Sequence, residues 1–233
     1  MSVQEPSVVE LQSRWDKIRV ANIYDTLDRM GYPNQCLDLG IKPLFPHQHL
    51  AGQAITIRGA AYPVPSSEPD SDWVGDYFDK LRSLLYPGCV VVVESGGEGH
   101  AGKFGEMTSW ALKQGGARGI VLDSYIRDYL GLEVIPGYTA CARGTSPIES
   151  SNRWRMTDVN AKIGLPGTLT SRVRIDPGDW IIGEADGVIV VPQAIAMDTL
   201  LKVEKMEAEE QGMRADMAAG MSFDDSYKKW GRA

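Results

Sequence analysis

Apolar residues recur every three to four positions at Leu11, Trp15 and Ile18, and again at Ile23, Leu27 and Met30, before Gly31 and Pro33 interrupt them. That spacing predicts one interrupted helix or two short ones. Asn22 followed by Asp25 reads as a cap between them. Residues 50–58 alternate as a strand does, and Tyr62 to Ser71, with three prolines and three serines, predicts a loop. Over 73–85, Tyr77, Phe78, Leu81, Leu84 and Leu85 share one helical face, which Pro87-Gly88 ends.

Cys89 to Val93 is wholly apolar and rich in β-branched residues, as a strand buried on both faces would be. Residues 105–114 suit a helix ending at Gly115-Gly116, and Gly119 to Leu122 reads as a second buried strand. Together they predict a right-handed βαβ unit. Its two strands would end at one sheet edge, bringing Glu94–Gly105 and Asp123–Asp128 together where open α/β sheets bind ligands. Residues 138–142 form another expected strand, and 143–168, with Arg143, Pro147, Arg153, Arg155 and Pro166, a long connection. Turns at Pro177-Gly178 and Asp186-Gly187 divide 172–192 into the three strands of an expected β-meander. The last expected element is an amphipathic helix over 193–219, closed by Gly220.

A chain of 233 residues is long enough for one or two domains at about 150 residues each. With 43% hydrophobic and 24% charged residues it is of ordinary globular composition, which excludes collagen-like and disordered classes. Its net charge of −7 argues against nucleic acid or an anionic membrane as partner. Three widely spaced cysteines suggest neither a disulfide scaffold nor a cysteine zinc site, so the reducing cytoplasm is the expected compartment. The first ten residues do not read as a targeting signal, and no apolar run is long enough to span a membrane.

Nine of the 25 glycines fall between Gly88 and Gly119. Within them Gly97, Gly99 and Gly102 match the dinucleotide pattern GxGxxG, with Asp123 about 20 residues on. Against that reading, Glu98 sits where a pyrophosphate would lie, and a meander follows in place of a third βα unit. Residues 97–104 nearly match a phosphate-binding loop, but Phe104 replaces the hydroxyl that would hold magnesium. His100 reads as an exposed loop residue.

Better chemistry is expected where Asp123, Arg127 and Asp128 face the start of the crossover helix at Gly105, Glu106, Met107 and Thr108. Open N–H groups at a helix N-terminus attract a carboxylate, and Arg127 would grip the same anion with two donors. Asp128 is a hard oxygen ligand suited to a Mg²⁺ ion that keeps several waters. A 2-oxo acid would fit between them. Each residue also has a plainer role, Asp123 as a helix cap, Arg127 with Asp128 as a surface pair, and Glu106 as a partner of the helix dipole.

Phe104-Gly105-Glu106-Met107, Asp123 to Asp128, Ala142 to Pro147, Pro177-Gly178-Asp179, Ala185 to Pro192 and Leu50 to Ala54 with Thr56 occur in the order found in the RraA-like/4-hydroxy-4-methyl-2-oxoglutarate aldolase family. The chain resembles that family from about residue 20 to 230. The resemblance implies an α/β fold, a single swivelling β/β/α domain over 1–233, with residues 193–233 as a helical arm on a neighbouring subunit. It further implies a homotrimer or homohexamer with sites at subunit interfaces, and cleavage of a 4-hydroxy-2-oxo acid to pyruvate with Mg²⁺, Mn²⁺ or another divalent metal. Oxaloacetate decarboxylation often accompanies that activity. On this basis the substrate carboxylate belongs on Gly105, Glu106, Met107, Thr108 and Arg127, and the metal on Asp128. Arg127, Asp128 and Glu106 are the expected catalytic residues. Glu204, Glu207 and Glu210 are candidates for an acidic group reaching a neighbour's site.

One position departs from the family, which has glycine where this chain has Ser124. A backbone requiring positive φ or close ligand approach would be strained or narrowed there. In the expected reaction, retro-aldol cleavage leaves an enolate whose charge is stabilised by metal and Arg127, with Glu106 or a neighbour's glutamate assisting removal of the C4 hydroxyl proton. Two other activities fit the same resemblance: a non-catalytic regulator of a ribonuclease, and isomerisation or elimination on a sugar-derived oxo acid. A dinucleotide-dependent enzyme is the remaining alternative.

Overall fold

The computed structural model describes residues 6–62 and 75–231. Two helices open it, α1 (Val8–Trp15) and α2 (Val20–Arg29). Ser7 caps α1 reciprocally with Glu10. The cap position of α2 is Arg19, without a side-chain bond, and Asn22 lies inside that helix. Its amide donates to Glu207 and Glu210, so a tertiary contact takes the side chain expected to cap.

The next elements in chain order are β1 (Lys42–Pro43), β2 (Leu50–Ala61), α3 (Gly75–Leu84), β3 (Cys89–Glu94), α4 (Glu106–Gln114) and β4 (Gly119–Leu122). The expected Tyr62–Ser71 loop lies outside the described residues except for Tyr62. Then come β5 (Tyr125–Ile126), α5 (Tyr129–Glu133), β6 (Thr139–Ala142), β7 (Gly144–Thr145), β8 (Trp154–Val159), β9 (Ile163–Leu165), β10 (Val173–Ile175), β11 (Trp180–Glu184) and β12 (Gly187–Val191). A 3₁₀ turn leads into α6 (Ala196–Ala218), and α7 (Phe223–Trp230) completes the described chain.

The main sheet has the order β1-β6-β4-β3-β2-β11-β12, and β8 pairs with the second half of β2. Strands β2, β3, β4 and β6 run parallel, so β3-α4-β4 is the expected βαβ unit. The terminal strand β1 also lies beside β11 and β12, and the sheet is nearly closed on itself. Period-two alternation then serves two cores at once. Cys89, Val91 and Val93 pack outward with Leu81, Phe104, Leu112 and Trp154, while Val90 and Val92 face an inner core that includes Val121, Val173, Ile181 and Val190. Burial on both faces is why these strands read as unbroken apolar runs.

Two expectations change. The connection over 143–168 contains β7, β8 and β9; β8 reads poorly in sequence because only its terminal residues, Trp154 and Val159, are buried. Of the three strands expected over 172–192, only β11 and β12 pair with each other, whereas β10 pairs with β9 in a separate hairpin. Asp179 redirects the chain by accepting the N–H groups of Asp176 and Gln193, which seats the turn between the two sheets.

Helix α6 packs Ala196, Leu200 and Val203 with Ile23 and Leu27 of α2, and α7 folds back on α6 through Trp230, whose Nε1 donates to Asp216. The first half of the C-terminal arm thus covers its own sheet. All three cysteines are free thiols. No described helix is long and apolar enough to cross a membrane.

Candidate active site

At the C-terminal edge of β3 and β4 two segments meet. Glu94 leads into the glycine-rich turn, Leu122 into Asp123, and the N–H of Ser95 donates to Asp123 Oδ1 at 2.8 Å, tying the strand ends together. Asp123 therefore caps no helix. Arg143 braces the same corner, donating to the Asp123 carbonyl at 3.1 Å and to Asp38 at 2.8 Å.

Gly105 is the N-cap of α4 and lies against the Arg127-Asp128 pair. A Cβ on Gly105 would collide with Asp128 Oδ2 and come within 3.0 Å of Arg127 Cγ, so only glycine permits this approach. The N–H of Glu106 donates to Asp128 Oδ2 at 3.0 Å, and Arg127 Nε lies 3.5 Å from the same oxygen. Arg127 also reaches Glu149, Nη1 to Oε1 3.6 Å. Two non-glycine residues flanking this contact adopt left-handed backbone, Phe104 at φ 56° and Asp128 at φ 63°. Such conformations cost about 1–3 kcal/mol each and persist where surrounding structure enforces them.

Of the expected carboxylate cradle, one amide is already taken, because Asp128 fills the place before Glu106. Among the described residues the N–H groups of Met107 and Thr108 donate to no such partner, and Thr108 Oγ1 donates back to the Gly105 carbonyl at 2.9 Å. Those two amides and the half-exposed Arg127 remain to hold an anion. Glu106 turns its carboxylate over α5, so close to Gly131 that a Cβ there would collide with Oε2.

A family model for RraA-like proteins, described as Aldolase/RraA, matches residues 20–190. The chain belongs to the RraA-like family. It is 28% identical over 205 residues to a protein of Halalkalibacterium halodurans provisionally named 4-hydroxy-4-methyl-2-oxoglutarate aldolase, covering 87% of this chain and 86% of that one. In fold it is similar to a structure from Pseudomonas syringae pv. tomato, TM-score 0.77 and 21% identity, over 96% of this chain and 99% of that one. It is also similar to Streptomyces coelicolor RraAS2, described as an unusual member of the RNase ES inhibitor RraA family, TM-score 0.73 and 23% identity, over 91% and 98%.

At the same sheet edge the two nucleotide-binding patterns are not realised. The Glu98 carboxylate accepts the N–H groups of His100 at 2.9 Å and Ala101 at 3.0 Å, occupying amides a pyrophosphate would need. Lys103, the lysine of the near phosphate loop, has no exposed surface. Its ammonium donates to Glu98 Oε2 at 2.5 Å, to the Glu98 carbonyl at 3.0 Å and to Ser124 Oγ at 2.6 Å. Burial lowers the Lys103 pKa, with the Glu98 contact opposing it. For Glu98 burial raises the carboxyl, but Lys103 and the backbone donors prevail and hold it below its ordinary value. Neither residue was an expected site residue; the signal in sequence is an acidic and a basic side chain five apart across a glycine-rich turn.

Ser124 causes no strain: its φ is not positive, and it is buried with its hydroxyl turned toward Lys103. His100 is exposed, as expected. The three C-terminal glutamates are all engaged within the chain. Glu204 takes a bidentate pair from Arg14 at 2.7 and 2.6 Å, and Arg214 holds Glu207 at 2.6 Å and Glu210 at 2.7 Å.

Asp128 suits a hard cation in one respect: both of its bonds fall on Oδ2, leaving Oδ1 uncommitted on a side chain 41% exposed. No group of three or more His, Cys, Asp or Glu side chains that could hold a metal gathers among the described residues. The donor set fits an ion held by one protein oxygen, water and substrate, as Mg²⁺ prefers.

Proposed function

We propose that this chain is a divalent-metal-dependent carbon–carbon lyase that cleaves a 4-hydroxy-2-oxo acid to pyruvate, with oxaloacetate decarboxylation as a side activity. The observation that carries this reading is the juxtaposition of Arg127, Asp128 Oδ1 and the open amides of Met107 and Thr108 at one helix N-terminus, in a chain of the RraA-like family. The open amides and Arg127 bind the substrate carboxylate and orient the 2-oxo group toward Asp128. Arg127 then faces the oxygen on which negative charge grows as the C3–C4 bond breaks, and its fixed positive charge stabilises that state. Asp128 would hold the divalent cation, Mg²⁺ or Mn²⁺, which supplies Lewis-acid stabilisation of the same oxygen. The C4 hydroxyl proton must leave, and C3 of the resulting enolate must gain a proton to give pyruvate; Glu106, in the first turn of α4, is the carboxylate we assign to assist the first transfer, and water supplies the second proton.

We place the working site at a subunit interface in a homotrimer or homohexamer. Met107, Leu130 and Val134 are 76%, 77% and 68% exposed around the Arg127-Asp128 pair, a strip of apolar surface that a second copy would cover. The same strip favours a second reading, a regulator that docks on a ribonuclease. Incubating the chain with oxaloacetate and a panel of 4-hydroxy-2-oxo acids, with and without Mg²⁺, and coupling to pyruvate detection tests the first reading. Metal-dependent pyruvate release is expected. No pyruvate from any of them, together with capture of a ribonuclease, would transfer the assignment to the regulator.

A further inference from the structure

Lys103 is a wholly buried ammonium that the lyase chemistry above does not use. Its three protons have the three partners described, Glu98 Oε2, the Glu98 carbonyl and Ser124 Oγ, and the Ala101 carbonyl lies farther off at 3.4 Å. A Schiff base would need a free, accessible amine; this nitrogen is ion-paired with Glu98, saturated with acceptors and sealed from solvent. Removing an ammonium from water is costly unless it is paired and hydrogen-bonded, and an apolar side chain of similar volume would fill the space without that cost. What an apolar residue lacks is direction.

The direction here runs across the site. Lys103 stands two residues before Gly105, and its backbone N–H donates to the Tyr125 carbonyl at 2.9 Å. Ser124 stands three residues before Arg127. Trp154 closes the third side: Lys103 Nζ lies 5.7 Å from its ring centre, Phe104 packs edge-on at 6.0 Å, and its Nε1 donates to the Ser95 carbonyl at 3.0 Å.

Resting on the lyase reading, we propose that Lys103 is a positioning residue: its ammonium, shared between Glu98 and Ser124, locks the glycine-rich turn to the 123–128 segment and so sets the contact of Gly105 with Arg127 and Asp128. Through that contact it aligns the Met107 and Thr108 amides with Arg127 for the carboxylate. Ser124 is then the functional complement of Lys103, because the glycine of the family motif offers no hydroxyl to the ammonium. A shift of about 1 Å between two halves of a binding site is enough to cost on the order of 100-fold in turnover.

The test compares wild type with Lys103→Met and Ser124→Ala in the full chain, each below its melting temperature. Three quantities are read: affinity for oxalate, a planar mimic of the pyruvate enolate, with Mg²⁺ present; KM and kcat for the best 2-oxo acid; and amide hydrogen exchange of residues 103–108 and 123–128. Lys103→Met is expected to weaken oxalate and raise KM by roughly tenfold or more, and to speed exchange in both segments together. Ser124→Ala is expected to shift all three in the same direction by a smaller factor.

A lower melting temperature with wild-type oxalate affinity, KM and exchange over 123–128 would overturn the proposal and leave Lys103 a structural residue. If Lys103→Met does not fold, Ser124→Ala decides by the same readouts. If wild type turns over no substrate, the lyase reading fails, and coupled exchange of the two segments still decides whether Lys103 sets their register.

Discussion

The backbone N–H of Glu106 donates to Oδ2 of Asp128 at 3.0 Å, so the carboxylate assigned to a cation also occupies the first amide of α4. Asp128 thereby has two duties on two oxygens. Oδ2 belongs to the protein, where it favours the positive end of the helix, and Oδ1 is left for a ligand.

Gly105→Ala follows directly from that contact. The added methyl would displace Asp128 Oδ2 and press on Arg127, while Gly105 itself has φ −82°, which alanine tolerates. Pyruvate release is expected to fall by roughly 100-fold from misplacement of the pair. Far-UV circular dichroism of the variant should match wild type, and wild-type kcat/KM would mean that the pair is not in the site.

Arg127→Ala separates catalysis from stability. Its ion pairs with Asp128 and Glu149 are long, 3.5 and 3.6 Å, and partly exposed, so their loss should change stability by less than about 1 kcal/mol. Turnover should drop by roughly 10²-fold or more if the guanidinium faces the growing enolate charge. Steady-state kinetics beside a urea titration reads both numbers.

Treatment with EDTA should abolish pyruvate release and added Mg²⁺ should restore it, while the melting temperature barely moves. The melting temperature should hold because Asp128 alone would give the ion a protein oxygen, through Oδ1 on a half-exposed side chain. Asp128→Asn should show the activity loss without rescue at the same Mg²⁺ concentration.

Glu98→Gln should destabilise the chain by about 3–5 kcal/mol at neutral pH, because it leaves the Lys103 ammonium buried without its counter-charge. In the folded protein the Lys103 ammonium and the backbone donors hold the wild-type Glu98 carboxyl below its ordinary value despite burial. Its contribution is therefore complete above that value and is lost as the pH falls through the folded-state pKa. Melting temperatures of wild type and variant should differ most above about pH 5 and converge on acidification; a constant difference would show that the carboxyl charge is not responsible.

Local pattern was enough to place β3, α4 and β4, since an unbroken Val run, an N-terminal glycine with Glu106, and Gly115-Gly116 are all short-range signals. Together with the ordered motifs they also identified Gly105, Glu106, Arg127 and Asp128 as neighbours across a sheet edge, because parallel strands end on the same side. Strand β8 escaped notice because its four inner residues are only partly buried and lack a clean alternation. Asn22 misled because the side chain that caps helices also makes good tertiary bonds, here to Glu207 and Glu210.

By itself the sequence determined the βαβ frame, the family likeness and the residues that carry charge at its edge. The tertiary structure alone decided how those charges are used. A lysine is normally solvated, so the spacing of Glu98 and Lys103 hints at a pair but does not bury it; Ser124 and Trp154, distant in sequence, close around the ammonium. Likewise, which oxygen of Asp128 is committed depends on a hydrogen bond spanning 22 residues, which no local pattern encodes.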